Sequence, residues 1–210
     1  MTQRTLIVYV HGLWFTGREG FLLRRRLARA LGAETLAFGY PSVNATLAAN
    51  AAALGRYLCS LRADALHLVG HSLGGVVITR LFDDPPALPP GRVVVLGSPL
   101  NGSQAARGFA RLPGAGRLLG HSMRDVLDAA PRTWGGEREL GVIAGVLPLG
   151  LGRLVARLEA PHDGTVTVAE TLLPGTTDRI QMPVNHSRMV FSDSVAGQVA
   201  AFLRNGRFTR

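Results

Sequence analysis

The run Ala65 to Val69 is apolar and passes directly into Gly70-His71-Ser72-Leu73-Gly74-Gly75. A segment of helical character follows at once, carrying Val76, Val77, Ile78, Leu81 and Phe82 until Asp83-Asp84-Pro85-Pro86 stops it. A strand that turns into a helix with no loop between them needs glycines, because only they leave room for so sharp a backbone turn. A strand without a polar face must also be covered on both sides. That points to an α/β fold, a mostly parallel sheet flanked by helices.

The rest of the chain repeats the alternation. Leu6 to Val10 reads as the first strand, and the stripe Leu23, Leu27, Ala30 and Leu31 as a helix with Arg24, Arg25, Arg26 and Arg29 largely outward. Thr35 to Phe38 follows as a strand. Leu47, Ala51, Leu54, Leu58 and Leu61 form the clearest helical stripe, with Ser42, Asn44 or Thr46 to cap it. Val93 to Leu96, Gly141 to Val146 and Arg179 to Val184 supply further strands, and Val195 to Leu203 a last helix with Asp193 as its cap. Residues 100–139 are the least regular, with a short helical piece at Met123 to Ala130, and read as a small cap or insertion. The length of 210 residues suits a single domain over 1–210.

Ser72 on such a turn exposes its hydroxyl at the C-terminal end of a strand, and the helix starting there aims free N–H groups at charge developing on a bound carbonyl oxygen. A serine hydroxyl is a weak nucleophile and needs a histidine base. Six histidines are present. His67 lies in a strand, His71 in the turn and His11 in the first loop, which leaves His162 and His186 once His121 is set aside. His186 is preferred because Pro183-Val184-Asn185-His186-Ser187 follows the last strand at the same sheet edge. The carboxylate to orient it is Asp163, in the loop Ala160-Pro161-His162-Asp163-Gly164-Thr165-Val166. Gly120-His121-Ser122 copies three letters of the turn but lacks the second glycine and follows no strand, so Ser122 reads as a helix cap.

An oxyanion would be met by the backbone N–H of Leu73 and by one from His11-Gly12-Leu13-Trp14, with Leu13 preferred and Trp14 the alternative. Trp14, Phe15 and Asn101 border the site as substrate-binding candidates. Leu147, Leu149, Leu151 and Leu154 are expected to contribute an acyl pocket.

These residues resemble the α/β-hydrolase superfamily, and within it the small bacterial lipase and esterase-like members. The likeness rests on His11-Gly12, the Gly70 to Gly75 turn, Leu96-Gly97-Ser98-Pro99 with Asn101-Gly102-Ser103, Asp163-Gly164 with Val166, and Asn185-His186. It implies ester hydrolysis through an acyl-enzyme, on a minimal fold that begins at the usual third strand and has little or no cap. A thioesterase, an amidase or an acyltransferase would use the same residues, and a non-catalytic binding protein is the alternative from another class.

Composition narrows the partners. All 23 basic residues are Arg, so chemistry that needs a lysine amine is excluded in its usual form. The net charge of +9 comes without a basic stripe interleaved with aromatics, which argues against nucleic acid and leaves weak peripheral attraction to an anionic membrane. Cys59, the single cysteine, excludes internal disulfides and reads as a packing residue. No ligand spacing for a metal is present, and no cofactor is expected. The oligomeric state stays open. Without an export signal or a run of ~18 apolar residues, a cytoplasmic protein is expected.

Overall fold

The computed structural model describes residues 3–130, 132–136, 138–150 and 152–210. Among them, six strands form one sheet in the order β2-β1-β3-β4-β5-β6, every neighbouring pair parallel. They are β1 (Thr5–Val10), β2 (Glu34–Phe38), β3 (Ala65–His71), β4 (Val93–Leu96), β5 (Leu140–Gly145) and β6 (Asp178–Met182). The helices are α1 (Phe21–Leu31), α2 (Leu47–Ser60), α3 (Leu73–Leu81), α4 (Gln104–Ala110), α5 (Gly116–Asp128), the single turn α6 (Gly152–Val155) and α7 (Asp193–Asn205).

The central strands have no polar face because both faces are covered. Leu6, Val8 and Val10 of β1 join Leu66, Leu68, Val93 and Val95 in one core with Leu54 and Leu58 of α2, Ile78 of α3 and Met123 of α5. Ile7 and Tyr9 point the other way, with Val69, Val94 and Ile143, onto Leu23 and Leu27 of α1 and Val199 and Phe202 of α7. This two-sided burial turns the usual period of two into continuous apolar runs.

Thr46 caps α2, its hydroxyl accepting the Ala49 N–H at 3.2 Å. The cap of α7 is Ser192, which accepts the Val195 N–H, and Asp193 is the first helical residue instead. Cys59 is exposed, on the outer side of α2. No separate cap domain is present among the described residues. Residues 100–139 instead carry α4 and α5, which lie against the main domain. Within α5, Gly120 has φ of +72°, and the His121 N–H leaves the helix to bond the Val43 carbonyl at 2.9 Å. A side chain at Gly120 would collide with Val43, so the kink requires glycine. Ser122 is a fully buried tie and not a cap. Its hydroxyl accepts from Asn50 Nδ2 and donates to the Ala45 carbonyl, both at 2.8 Å.

Candidate active site

Every strand of the sheet ends at the same edge, and the loops there carry the residues singled out in the sequence. The order along the sheet reverses at β1, whose two neighbours are β2 and β3, so the loops after β1 and β3 lie side by side at the switch point.

Ser72 follows β3 with φ of +53° and ψ of −125°, a conformation that a residue with a side chain adopts only at a cost of ~1–3 kcal/mol. The surroundings hold it there. Its N–H donates to the Leu96 carbonyl and its own carbonyl accepts the Gly75 N–H. Three glycines admit the turn: a Cβ would strike the Gly75 backbone at Gly70, the Val10 carbonyl at Gly74 and Ser98 Oγ at Gly75. α3 is thereby pressed onto the sheet, and its first N–H groups point at the site.

Asp163 and His186 meet at the ends of β5 and β6. His186 Nδ1–H donates to Asp163 Oδ2 at 2.7 Å, and both residues are buried. Asp163 Oδ1 accepts the Thr165 and Val166 N–H groups at 2.9 and 2.7 Å, and its backbone carbonyl accepts the His186 N–H. Burial pushes this carboxyl upward, but His186 and the two N–H donors outweigh it and hold the group below the usual carboxylate range.

The pair sits against the end of β4, where Gly97 follows the carbonyl that holds Ser72. A Cβ on Gly97 would lie 3.0 Å from Asp163 Oδ2 and 3.1 Å from His186 Nδ1, and its φ is +52°. His71 makes the second link: its Nε2–H donates to the His186 carbonyl at 3.1 Å, and the two rings are 4.9 Å apart. His71 is buried without a partner for Nδ1 among the described residues. Burial foremost, with His186 beside it, lowers it to about 3, so it stays neutral. His162 is not part of this group, its Nδ1 accepting the Gly164 N–H within the loop.

Gly12 brings the first loop against Ser72, a Cβ there lying 3.1 Å from Ser72 Cβ. Buried His11 stacks on Tyr40 and donates from Nδ1 to the Gly12 carbonyl at 2.7 Å. The Gly12–Leu13 amide plane is fixed by that bond, and in a trans peptide the Leu13 N–H points opposite to the carbonyl. The Trp14 N–H is used elsewhere, on Ser42 Oγ at 3.1 Å. No hydrogen bond among the described residues uses the Leu13 or the Leu73 N–H. The geometry therefore favours Leu13 over Trp14 as the free donor.

The other candidates lie on the surface. Trp14, with φ of +65°, and Phe15 are exposed beside the loop. Asn101 is exposed after β4, its N–H bound to the Glu170 carbonyl. Leu149 and Leu154 form no enclosed pocket: both are exposed, while Gly150 and Gly152 between them pack on Gly164 and Thr165. Leu151 lies outside the described residues.

Two contributors escaped the sequence reading. Gly97 was visible only as part of a motif. Glu170 forms a reciprocal box with Thr167, each side chain accepting the other's N–H, and also takes the Gln104 N–H at the start of α4. The spacing Thr167-x-x-Glu170 is the signature of such a box and was the available signal. No group of three or more His, Cys, Asp or Glu among the described residues could hold a metal.

A serine on a strained strand-to-helix turn, a buried histidine–carboxylate pair and two N–H groups without a partner among the described residues thus gather at one sheet edge. The model of the alpha/beta hydrolase family matches residues 7–207, and the chain belongs to that family. Among solved structures it is similar to the mature lipase BlEst2 of Bacillus licheniformis, with 19% identity, a TM-score of 0.73, and 97% of this chain and 92% of that one covered. It is also similar to the RedJ thioesterase of the prodiginine pathway in Streptomyces coelicolor, with 16% identity, a TM-score of 0.62, and coverage of 95% and 84%. A metagenomic carboxyl esterase shares 18% identity at a TM-score of 0.64 over 89% and 65% of the two chains. No curated protein matches the chain. Among the described residues, no helix is long and apolar enough to cross a membrane.

Proposed function

We propose that the protein is a serine hydrolase that cleaves carboxylic esters through an acyl-enzyme on Ser72. The observation that carries this reading is the 2.7 Å bond from His186 Nδ1–H to buried Asp163, made at the sheet edge where Ser72 sits on its strained turn. With Nδ1 holding that proton, Nε2 keeps its lone pair for the Ser72 hydroxyl proton.

Ser72 Oγ attacks the ester carbonyl carbon as its proton passes to His186 Nε2. Asp163 stabilises the imidazolium, and the carbonyl oxygen gains its charge facing the Leu13 and Leu73 N–H groups. His186 then protonates the departing alkoxide, leaving the acyl group on Ser72. Water repeats the sequence, giving its proton to His186 and releasing the acid with Ser72 restored. Trp14, Phe15 and Asn101 border the acyl and alcohol groups.

A thioester is the second reading, favoured by the likeness to a thioesterase, because the turn fixes the nucleophile and not the leaving group. Intact-mass analysis after exposure to a fluorophosphonate, on the wild-type chain and Ser72→Ala, tests both readings together. One adduct mapping to Ser72 and absent from the variant is expected. A folded wild-type chain that takes up none would overturn the nucleophile assignment and favour a binding protein on this scaffold. Rates on p-nitrophenyl esters against acyl thioesters of matched chain length then separate the two readings.

A further inference from the structure

The rim of the site carries apolar side chains that are exposed among the described residues. Trp14 is 58% exposed, Leu118 59% and Leu154 80%, with Leu112 and Leu149 also exposed. They form one continuous margin. Trp14 Nε1–H donates to the Leu118 carbonyl at 2.8 Å, beside the Gly120 kink that opens the helix, and its ring meets Phe109 edge-on at 6.1 Å. Gly108 in α4 packs on the Val155 carbonyl of α6, and Gly164 in the Asp163 loop packs on Leu149. The margin thus runs from the Gly12 loop over α5 and α4 to α6 and returns to the site.

Arginines gather on the same margin, with Asp125, Asp128 and Glu159 at its ends. Residues 104–124 contain Arg107, Arg111, Arg117 and Arg124 and no carboxylate, and residues 147–158 contain Arg153 and Arg157 and no carboxylate. All six are exposed. Arg153, Arg157 and buried His162 line an open hollow of about 540 Å³ beside Leu154. Exposed leucines and a tryptophan among arginines that make no ion pair among the described residues suit an apolar layer beneath a negatively charged surface. A nucleic acid would meet the arginines but would gain nothing from the leucines.

We propose that this margin docks the protein on an anionic lipid bilayer, with Trp14, Leu112, Leu118 and Leu154 entering the headgroup region and the arginines meeting lipid phosphates. The site then opens toward the membrane. This inference does not depend on the chemistry at Ser72, and it is tested in the Ser72→Ala chain so that hydrolysis plays no part.

The measurement is binding to vesicles of phosphatidylcholine alone and of phosphatidylcholine mixed with phosphatidylglycerol, followed by co-sedimentation and tryptophan fluorescence. Of the two tryptophans, Trp14 is exposed and Trp134 buried, so a blue shift reports the rim. Binding to the mixed vesicles, weakened by salt and accompanied by a blue shift that Trp14→Phe abolishes, is expected. Each basic residue near an anionic surface contributes about fivefold, so Arg111→Gln with Arg117→Gln lowers affinity about 25-fold. Arg25→Gln with Arg29→Gln removes the same charge from exposed positions on α1 and leaves binding within about twofold of the parent. Leu118→Ser with Leu154→Ser weakens binding and reduces the blue shift.

Three results would overturn the proposal. One is equal binding to both kinds of vesicle. Another is an equal loss from the α1 and rim arginine pairs, which would make net charge the whole effect. The third is self-association in sedimentation velocity that the leucine variant abolishes while vesicle binding persists, which would make the margin a contact between copies of the chain.

Discussion

Replacing Asp163 by Asn tests whether the carboxylate sets the tautomer of His186. Asp163 Oδ1 faces two donors, the Thr165 and Val166 N–H groups, while Oδ2 faces His186 Nδ1. An asparagine must place its oxygen where the two N–H groups point, since its NH₂ there would oppose two donors. The amide nitrogen then falls opposite Nδ1. The imidazole escapes that clash by carrying its proton on Nε2, and Ser72 meets an N–H where it needs a lone pair. A tautomer reversal of this kind costs ~10⁴-fold in a serine triad, or about 5 kcal/mol of barrier. The fold should lose much less, because both backbone N–H bonds survive. What it does lose depends on pH. Asp163 is held below the usual carboxylate range, so its stabilisation is present above the unfolded value of ~3.9 and disappears as pH falls through the folded value. The second-order rate of fluorophosphonate labelling measures the first effect, and urea denaturation at neutral and acid pH the second. Labelling of Asp163→Asn within about tenfold of wild type, with its cooperative unfolding kept, would refute the tautomer argument.

Gly97→Ala should combine a strained φ with a methyl group pressed on Asp163 and His186, costing about 1–3 kcal/mol in urea denaturation and about 100-fold in labelling rate through displacement of the pair; undiminished labelling would show that Gly97 does not set the pair's position. His11, His67 and His71 are all lowered, His67 to about 4 and His71 to about 3, with burial the main cause and Arg92 and Arg138 adding to it at His67. Each is neutral in the fold and gains its proton more readily when unfolded, so stability should fall as pH drops from ~6.5 toward the folded values, and a urea midpoint that stays flat across that window would count against their burial. Ser122→Ala leaves the Asn50 amide and the Ala45 carbonyl without this partner and should cost about 1–3 kcal/mol of stability while labelling at Ser72 proceeds at the wild-type rate; a loss of labelling in the folded variant would contradict its role as a structural tie.

What could be read from the chain followed the reach of each signal. The turn at Ser72 is a local event, fixed by glycines at 70, 74 and 75 against atoms of the adjoining elements, and so it is written in consecutive residues. The central strands and α2 were equally legible, because two-sided burial makes continuous apolar runs and one-sided burial a stripe. α4 and the first half of α5 were not. Gly108, Gly114, Gly116 and Gly120 interrupt any stripe there, and these segments are held by contacts with Val155 and Val43 that no local pattern announces. The same cause misplaced Ser122. A serine two residues after a glycine reads as a cap when its partners, Asn50 and Ala45, lie more than 70 residues away.

The candidate site joins residues far apart in the chain, yet the residues that meet at this edge could be singled out from sequence, and the topology supplies the reason. In a parallel sheet every strand ends at one edge, so Gly12, Ser72, Gly97, Asp163 and His186 need only follow strands to arrive on the same side. Which of them touch is decided by lateral order. β1 and β3 are neighbours where the order reverses, which sets the Gly12 loop against Ser72, and β4 stands next to β3, which sets Gly97 between the serine and the pair. Lateral order also explains what the sequence hid. The segment after β5 adds no strand to the sheet, so apolar residues such as Leu149 and Leu154 look in sequence like a pocket lining and stand in the fold as an exposed rim. A side chain's burial there is set by which backbone it packs on. Beside Leu149 that backbone is the Asp163 loop, on which Gly150 and Gly152 pack, so the loop that carries Asp163 also sets where this segment lies.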